Sequence, residues 1–141
     1  MKAIILAGGK GSRLGNLTKS IPKPMLKIGG KPILWHILKI LSSNGIKDFI
    51  ICLGYKGYVI KKYLSNLKEK WKIDCVDTGV NTLTARRIFL IKNKINEDIF
   101  LMTYGDGLAN INLKKLLRLH NKKKNNCNSY SSSTNTKIWL N

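Results

Sequence analysis

Acidic residues are scarce in this chain of 141 residues, where 7 Asp and Glu stand against 26 Lys and Arg and the formal net charge is +19. Arginine is scarce too, since 22 of the basic residues are Lys and 4 are Arg, spread along the whole chain. Nucleic-acid surfaces usually combine clustered arginines with stacking aromatic side chains, and the sequence shows no such cluster. A basic nucleic-acid-binding module therefore has only the charge in its favour, and we expect no nucleic-acid partner. The same charge would attract an anionic substrate.

Long hydrophobic runs are also absent. No segment approaches the roughly 20 consecutive apolar residues that a membrane helix needs, and the N-terminus lacks the charged lead and apolar core of a signal peptide. The 3 cysteines, Cys52, Cys75 and Cys127, are odd in number and widely spaced, which does not fit a disulfide framework. We therefore expect a cytoplasmic protein without a membrane partner, in which Cys52 and Cys75 are core residues.

Apolar runs that predict strands alternate with amphipathic stretches that predict helices. The predicted strands cover residues 3–7, 48–54, 73–76 and 99–103, and the predicted helices cover residues 32–44, 58–70, 83–94 and 113–120. Alternation of this kind is typical of an α/β fold, a Rossmann-like, doubly wound, mostly parallel sheet with helices on both faces. The length fits one domain with one core.

The first predicted strand breaks at Gly8-Gly9, and Gly11, Ser12 and Arg13 follow. Glycines allow several main-chain N–H groups to point into one concavity, which suits a phosphate group at the start of a helix. The Arg13 guanidinium matches phosphate oxygens. The alternative is a tight strand-to-helix turn with a surface arginine.

Lys23 lies between Pro22 and Pro24, in a long loop that covers residues 8–31. Each proline fixes its own φ angle, and Pro24 favours an extended conformation at Lys23. A loop of this length is usually functional, so we interpret Lys23 as a pre-oriented cation. The alternative is a solvated loop lysine.

Asp106 follows the last predicted strand and stands between Gly105 and Gly107. A carboxylate with close main-chain access suits a hard divalent cation, although aspartate is also a common turn former. Because ligands bind at the carboxyl ends of parallel strands, we expect the glycine-rich loop, Thr78 and Asp106 to meet at one edge of the sheet.

Several of these segments resemble the sugar-1-phosphate nucleotidyltransferase family, and most of all its glucose-1-phosphate cytidylyltransferases. The matching segments are Leu6–Leu14, Lys23–Met25, Gly29–His36, Gly54–Ile60, Val76–Gly79 and Thr103–Gly107. The resemblance runs from Met1 to about His120, so we predict a nucleotide-binding domain at residues 1–120 and a separate polar, basic tail at residues 121–141.

The resemblance implies that CMP passes from CTP to glucose 1-phosphate, which gives CDP-glucose and pyrophosphate. It implies that Arg13 and Lys23 are catalytic and that Mg²⁺ binds at Asp106. CTP, or another nucleoside triphosphate, and a sugar 1-phosphate are the implied partners. Family members oligomerise, and whether this chain keeps the interface is left open. The implied nucleotide-binding residues are Leu6, Ala7, Gly8, Gly9, Lys10, Gly11, Ser12, Arg13, Lys23, Thr78, Thr84, Arg87 and Gly105.

The chain departs from the family pattern at several points. It lacks an excursion between Lys70 and Trp71, has Ser12 in place of Thr, and has Thr84-Ala-Arg-Arg87 where the family has Thr-Gly-Gly-Arg. The family chain also continues further, and that part carries the sugar pocket and a second metal-binding aspartate. We therefore expect an incomplete fold, and a catalytically inactive nucleotide-binding remnant is the alternative function.

The last residues, 125–141, are rich in Asn, Ser and Thr and contain no acidic residue, a composition that predicts disorder. Codons compatible with Asn126 to Leu140, when read one base later, encode a strand-like sequence that resembles the continuation of the family. We hypothesise a frameshift within residues 122–126. Resequencing the gene tests this, because a downstream frame without the rest of a nucleotidyltransferase would refute it.

Overall fold

The computed structural model describes residues 1–11, 20–123, 128–131 and 137–140; beyond residue 121 it describes only the course of the main chain. The strands are β1 (Ala3–Leu6), β2 (Lys27–Ile28), β3 (Lys31–Pro32), β4 (Asp48–Leu53), β5 (Lys72–Asp77), β6 (Leu101–Tyr104), β7 (Asn128–Ser131) and β8 (Lys137–Leu140). The helices are α1 (Ile33–Ser43), α2 (Gly57–Ser65), α3 (Thr84–Leu90) and α4 (Leu113–Lys123), with short 3-10 turns at Lys23–Met25 and Lys92–Lys94.

A six-stranded sheet in the order β5-β4-β1-β6-β8-β7 forms the centre of the fold. The first four of these strands are parallel, and β1 lies between β4 and β6, so that Ile5 is the register partner of both Ile51 and Thr103. Crossover helices connect parallel strands, which explains why the carboxyl ends of β1, β4, β5 and β6 share one edge. The predicted mostly parallel α/β sheet is confirmed.

Both faces of the sheet are buried, as the alternation of side chains along β1 shows. Ala3 and Ile5 belong to the core beneath α1, α2 and α4, whereas Ile4 and Leu6 belong to a smaller core on the opposite face, against the end of α3. A strand covered on both sides must be apolar at every position, which is why β1 is a continuous apolar run.

Two helices are shorter than predicted. α2 ends at Ser65 and not at residue 70. At this end of the helix, the Asn66 side-chain amide donates a hydrogen bond to the Lys62 carbonyl oxygen at 3.0 Å. Asparagine often competes with the helix in this way. The predicted helix 83–94 divides into α3 and the 3-10 turn Lys92–Lys94.

The tail differs most from the prediction, because the structure forms strands where composition predicted disorder. β8 pairs antiparallel with β6 and β7 pairs antiparallel with β8, so that β8 covers the edge of β6 that faces away from β1. Tail composition is polar on average, but β8 itself reads Lys-Ile-Trp-Leu, in which Ile138 and Trp139 are residue types that are enriched in strands. Averaging over the whole tail hid this segment.

Two further observations concern the cysteines and the possibility of a membrane-spanning helix. Cys52 is buried in the core, Cys75 is partly buried, and both thiols are free. No helix in the described ranges is long and apolar enough to cross a membrane.

Candidate functional site

A cleft of about 290 Å³ opens where β1, β5 and β6 end. Its walls come from the glycine-rich loop after β1, the turn between β5 and α3, the 3-10 turn at Lys23 and the turn after β6. The lining residues are Leu6, Ala7, Gly8, Gly9, Gly11, Lys23, Pro24, Val80, Thr82, Leu83, Thr84, Arg87, Tyr104 and Asp106.

Main-chain hydrogen bonds fix the start of the glycine-rich loop. Ala7 N donates to the Cys52 carbonyl oxygen at 2.9 Å, and Tyr55 N donates to the Gly8 carbonyl oxygen at 3.1 Å. Gly9 and Lys10 are exposed, and Gly11 has a φ of 64°, a conformation that favours glycine. The loop therefore leaves the sheet on a rigid base and curls at its outer end.

The Arg87 guanidinium joins the ends of three strands beneath this loop. Its side chain is buried, with 5% exposure. Nη1 donates to the Leu53 carbonyl oxygen at 3.0 Å and to the Thr78 hydroxyl oxygen, and Nη2 donates to the carbonyl oxygens of Gly8 at 3.2 Å and Val80 at 3.4 Å. The planar fork of arginine suits such an arrangement of separated acceptors.

The acceptors of Arg87 are neutral, so its charge is not cancelled by a carboxylate hydrogen bond. Burial lowers the pKa of the Arg87 guanidinium, and the nearby acidic groups of Cys52 and Asp77 oppose that shift. Arginine nevertheless keeps its proton in proteins. A positive charge therefore lies directly behind the loop, where it favours an anion in the cleft.

Gly8 is required by this close approach. A Cβ atom at Gly8 would lie 2.1 Å from Arg87 Nη1, whereas a Cβ atom at Gly9 would meet no atom within 4 Å. The first glycine of the loop therefore makes room for Arg87, and the third permits the turn at Gly11.

Thr78 and Gly105 lie behind the cleft wall rather than along it. Thr78 is 3% exposed, and its hydroxyl donates to the Leu53 carbonyl oxygen at 2.7 Å while it accepts from Arg87. A Cβ atom at Gly105 would lie 3.0 Å from Ala7 Cβ and 3.2 Å from Pro24 Cγ. Both residues hold cleft-lining neighbours in place.

Lys23 and Asp106 meet across the cleft, with Lys23 Nζ 2.5 Å from Asp106 Oδ2. The 3-10 turn after Pro22 presents the lysine, and a tight turn after β6, closed by Gly107 N donating to the Tyr104 carbonyl oxygen at 3.3 Å, presents the carboxylate. About a third of each side chain is exposed. Asp106 is thus both a turn residue and an ion-pair partner.

Asp106 is also the candidate metal ligand. The described residues contain no group of three or more His, Cys, Asp or Glu that could hold a metal ion by themselves. Mg²⁺ at nucleotide sites is usually held by one or two carboxylates together with substrate phosphates. A single, partly exposed carboxylate in a cleft with loop amides and a lysine fits that kind of ion.

The structure brings most of the predicted site residues together, and the cleft contains Leu6, Ala7, Gly8, Gly9, Gly11, Lys23, Thr84, Arg87 and Asp106. Lys10 is exposed and does not line the cleft. Ser12 and Arg13 lie outside the described residues, and their roles stay predictions.

Sequence reasoning missed the apolar wall of the cleft. Leu83 is 80% exposed and Val80 is 42% exposed, although both are aliphatic. A turn at Gly79, with a φ of 86° and its N–H donating to Asp77 Oδ1 at 2.9 Å, places them at the cleft. Their position between a strand-ending glycine turn and a helix start was the available signal.

Comparison with known proteins identifies the family. A family model described as nucleotidyl transferase matches residues 2–137. The chain belongs to the nucleotidyl transferase family. Among curated relatives, the chain is 48% identical to the "Probable glucose-1-phosphate cytidylyltransferase" of Bacillus subtilis, over 87% of this chain and 57% of that protein. It is 46% identical to the glucose-1-phosphate cytidylyltransferase of Salmonella typhimurium, over 85% and 56%.

The similarity of the chain to solved structures supports this family assignment. HddC from Yersinia pseudotuberculosis, complexed with GMP-PN, has a TM-score of 0.72 at 30% identity over 84% of this chain and 53% of that one. A putative glucose-1-phosphate thymidylyltransferase from Bacillus anthracis has a TM-score of 0.78 at 25% identity over 92% and 53%. The chain therefore spans little more than half the length of these relatives.

Proposed function

We propose that this chain is the nucleotide-binding part of a glucose-1-phosphate cytidylyltransferase, an enzyme that transfers CMP from CTP to glucose 1-phosphate. The observation that carries the proposal is a single cleft that joins the Gly8–Gly11 loop, Lys23 and Asp106 at the carboxyl edge of a parallel sheet. The two relatives at 46% and 48% identity that bear this name support the choice of nucleotide and sugar.

The proposed chemistry needs no protein nucleophile. A phosphate oxygen of glucose 1-phosphate attacks the α-phosphorus of CTP and forms a new P–O bond, while the bond from that phosphorus to the oxygen bridging to the β-phosphate breaks. Pyrophosphate leaves with the bonding electrons. Transfers of this kind depend on positioning and on charge neutralisation, which the loop amides and the Lys23 ammonium group can supply.

We also propose that Asp106 holds Mg²⁺ together with the nucleotide phosphates. Bound there, the ion would neutralise phosphate charge and polarise the phosphoryl oxygens. The chain's own contribution is the carboxylate, held on a tight turn after β6, and the adjacent Lys23.

Pyrophosphate release tests the enzymatic proposal. The chain is incubated with CTP, glucose 1-phosphate and Mg²⁺, and pyrophosphate is measured for the wild type, Lys23→Met and the control Lys68→Met, a lysine that is exposed on the loop between α2 and β5. We expect release by the wild type and the control, and at least a tenfold loss for Lys23→Met. Release that is equal in all three proteins would contradict the proposed role of the cleft.

The alternative is a nucleotide-binding remnant without turnover, and the share of about half of the relatives' length favours it. Pyrophosphate release distinguishes the active enzyme from the nucleotide-binding remnant. Nucleotide binding without pyrophosphate release would support the remnant, whereas release would support the enzyme. If no nucleoside triphosphate binds, both proposals are wrong.

A further inference from the structure

The groups that the proposed function assigns to phosphate and to metal are bonded to each other. Lys23 Nζ lies 2.5 Å from Asp106 Oδ2, so the ammonium group takes a lone pair that a cation would need. The carboxylate in turn takes the positive charge that a phosphate would need. The contact uses one of several acceptor sites of the carboxylate and one of three donors of the ammonium group, so each group competes with the proposed ligand of the other.

The lysine can leave this pair only by moving its side chain. Its main chain is fixed in a 3-10 turn in which Met25 N donates to the Pro22 carbonyl oxygen at 2.8 Å and Leu26 N donates to that of Lys23 at 3.1 Å. The next residue, Pro24, is buried. The ammonium group therefore stays within reach of the cleft, tethered by a flexible chain of four carbons.

The charge of the cleft lining links the binding of a cation to the binding of a phosphate. Asp106 is the only acidic residue among the described residues that line the cleft, so it is the group there that repels a polyphosphate. A divalent cation at Asp106 would cancel that repulsion and free Lys23 at the same time, and a phosphate that attracts Lys23 would free Asp106 for the cation. Each ligand thus removes the competitor of the other, which is a positive coupling between two sites.

We propose that the Lys23–Asp106 ion pair is an exchange switch that makes the divalent cation and the nucleotide bind together rather than separately. This inference rests on the proposed function for the nucleotide, although the effect of the pair on the cation can be measured without any nucleotide. A partly exposed ion pair contributes modestly, so the expected changes in affinity are about threefold to fivefold.

The first experiment measures CTP affinity by calorimetry in EDTA and in Mg²⁺, for the wild type, Asp106→Asn and the control Asp98→Asn, an exposed aspartate on another loop. In EDTA, Asp106→Asn should bind CTP about threefold to fivefold more tightly than the wild type, because repulsion is removed and Lys23 is released. Mg²⁺ should tighten binding by the wild type and by the control, but not by Asp106→Asn. Equal affinities of Asp106→Asn and wild type in EDTA would overturn the switch.

The second experiment uses Mn²⁺ alone, detected by electron paramagnetic resonance at low ionic strength. Lys23→Met should bind Mn²⁺ about threefold to fivefold more tightly than both the wild type and Lys68→Met, and the double variant Lys23→Met, Asp106→Asn should lose this gain. If no protein binds CTP but Lys23→Met gains Mn²⁺ affinity, the proposed function fails and the competition for Asp106 stands. Mn²⁺ affinity that is equal in Lys23→Met and Lys68→Met, or absent in both, overturns the inference.

Discussion

The Arg87 guanidinium donates a hydrogen bond to the Gly8 carbonyl oxygen at 3.2 Å, across 79 residues of sequence. The same group also binds the carbonyl oxygens of Leu53 and Val80 and the hydroxyl of Thr78. One buried side chain thus fixes the base of the glycine-rich loop to the ends of the neighbouring strands. The shape of the cleft depends on this contact.

We expect the variant Arg87→Met to be less stable than the wild type by about 2–4 kcal/mol, because several buried acceptors lose their donor at once. Urea unfolding measures the change, with Arg118→Met as the control because Arg118 is exposed on α4. A free energy of unfolding that is the same for both variants would mean that the Arg87 network does not stabilise the fold.

The adjacent glycines Gly8 and Gly9 allow the same substitution to be compared at two neighbouring positions. Gly8→Ala places a Cβ atom 2.1 Å from Arg87 Nη1, whereas Gly9→Ala meets no atom within 4 Å. Arg87 cannot withdraw without breaking its hydrogen bonds, so Gly8→Ala should cost about 1–3 kcal/mol of unfolding free energy. Gly9→Ala should change it by less than about 0.5 kcal/mol. Urea unfolding of both variants measures these changes. Equal losses of unfolding free energy would contradict the role assigned to Gly8.

Burial of the Cys52 thiol predicts a dependence of stability on pH. Desolvation raises the pKa of the Cys52 thiol to about 12, whereas in the unfolded chain the thiol ionises near its ordinary pKa of 9.0. The unfolded state therefore loses this proton first, so the contribution to stability is complete below pH 9 and is lost as the pH rises toward 12.

This dependence is measured by urea unfolding between pH 8 and about pH 10, with Cys52→Val as the comparison, since its buried side chain does not titrate. The wild type should lose stability relative to the variant as the pH rises. Parallel curves would show that the thiol does not contribute.

The sequence predicted the parallel sheet and most of the cleft, because the signals for both are local. The apolar run of β1 and the glycines after it are adjacent in the chain, and parallel topology brings Asp106 to the same edge. The nucleotide-binding roles that the family resemblance implies for Thr78 and Arg87 stay predictions, but the network that these two residues form with the main chain could not be predicted. Their hydrogen bonds depend on the three-dimensional meeting of strand ends.

The strand pairing of the tail was not predictable from composition either. Edge pairing satisfies the main-chain groups of β6, and a main-chain hydrogen bond does not depend on side-chain polarity. We expect removal of residues 124–141 to uncover that edge and to increase self-association. Size-exclusion chromatography compares the shortened chain with the full chain, and identical monomeric elution of both at equal concentration would contradict this.

The most direct measurement for the central claim is calorimetric titration of the full chain with CTP in the presence of Mg²⁺. The account predicts saturable binding by the wild type and by Lys68→Met, and an affinity at least tenfold weaker for Lys23→Met, because charge-assisted contacts to phosphate are strong. Absence of binding by the wild type, or the same affinity in Lys23→Met and Lys68→Met, would contradict the claim that this cleft is a nucleotide site.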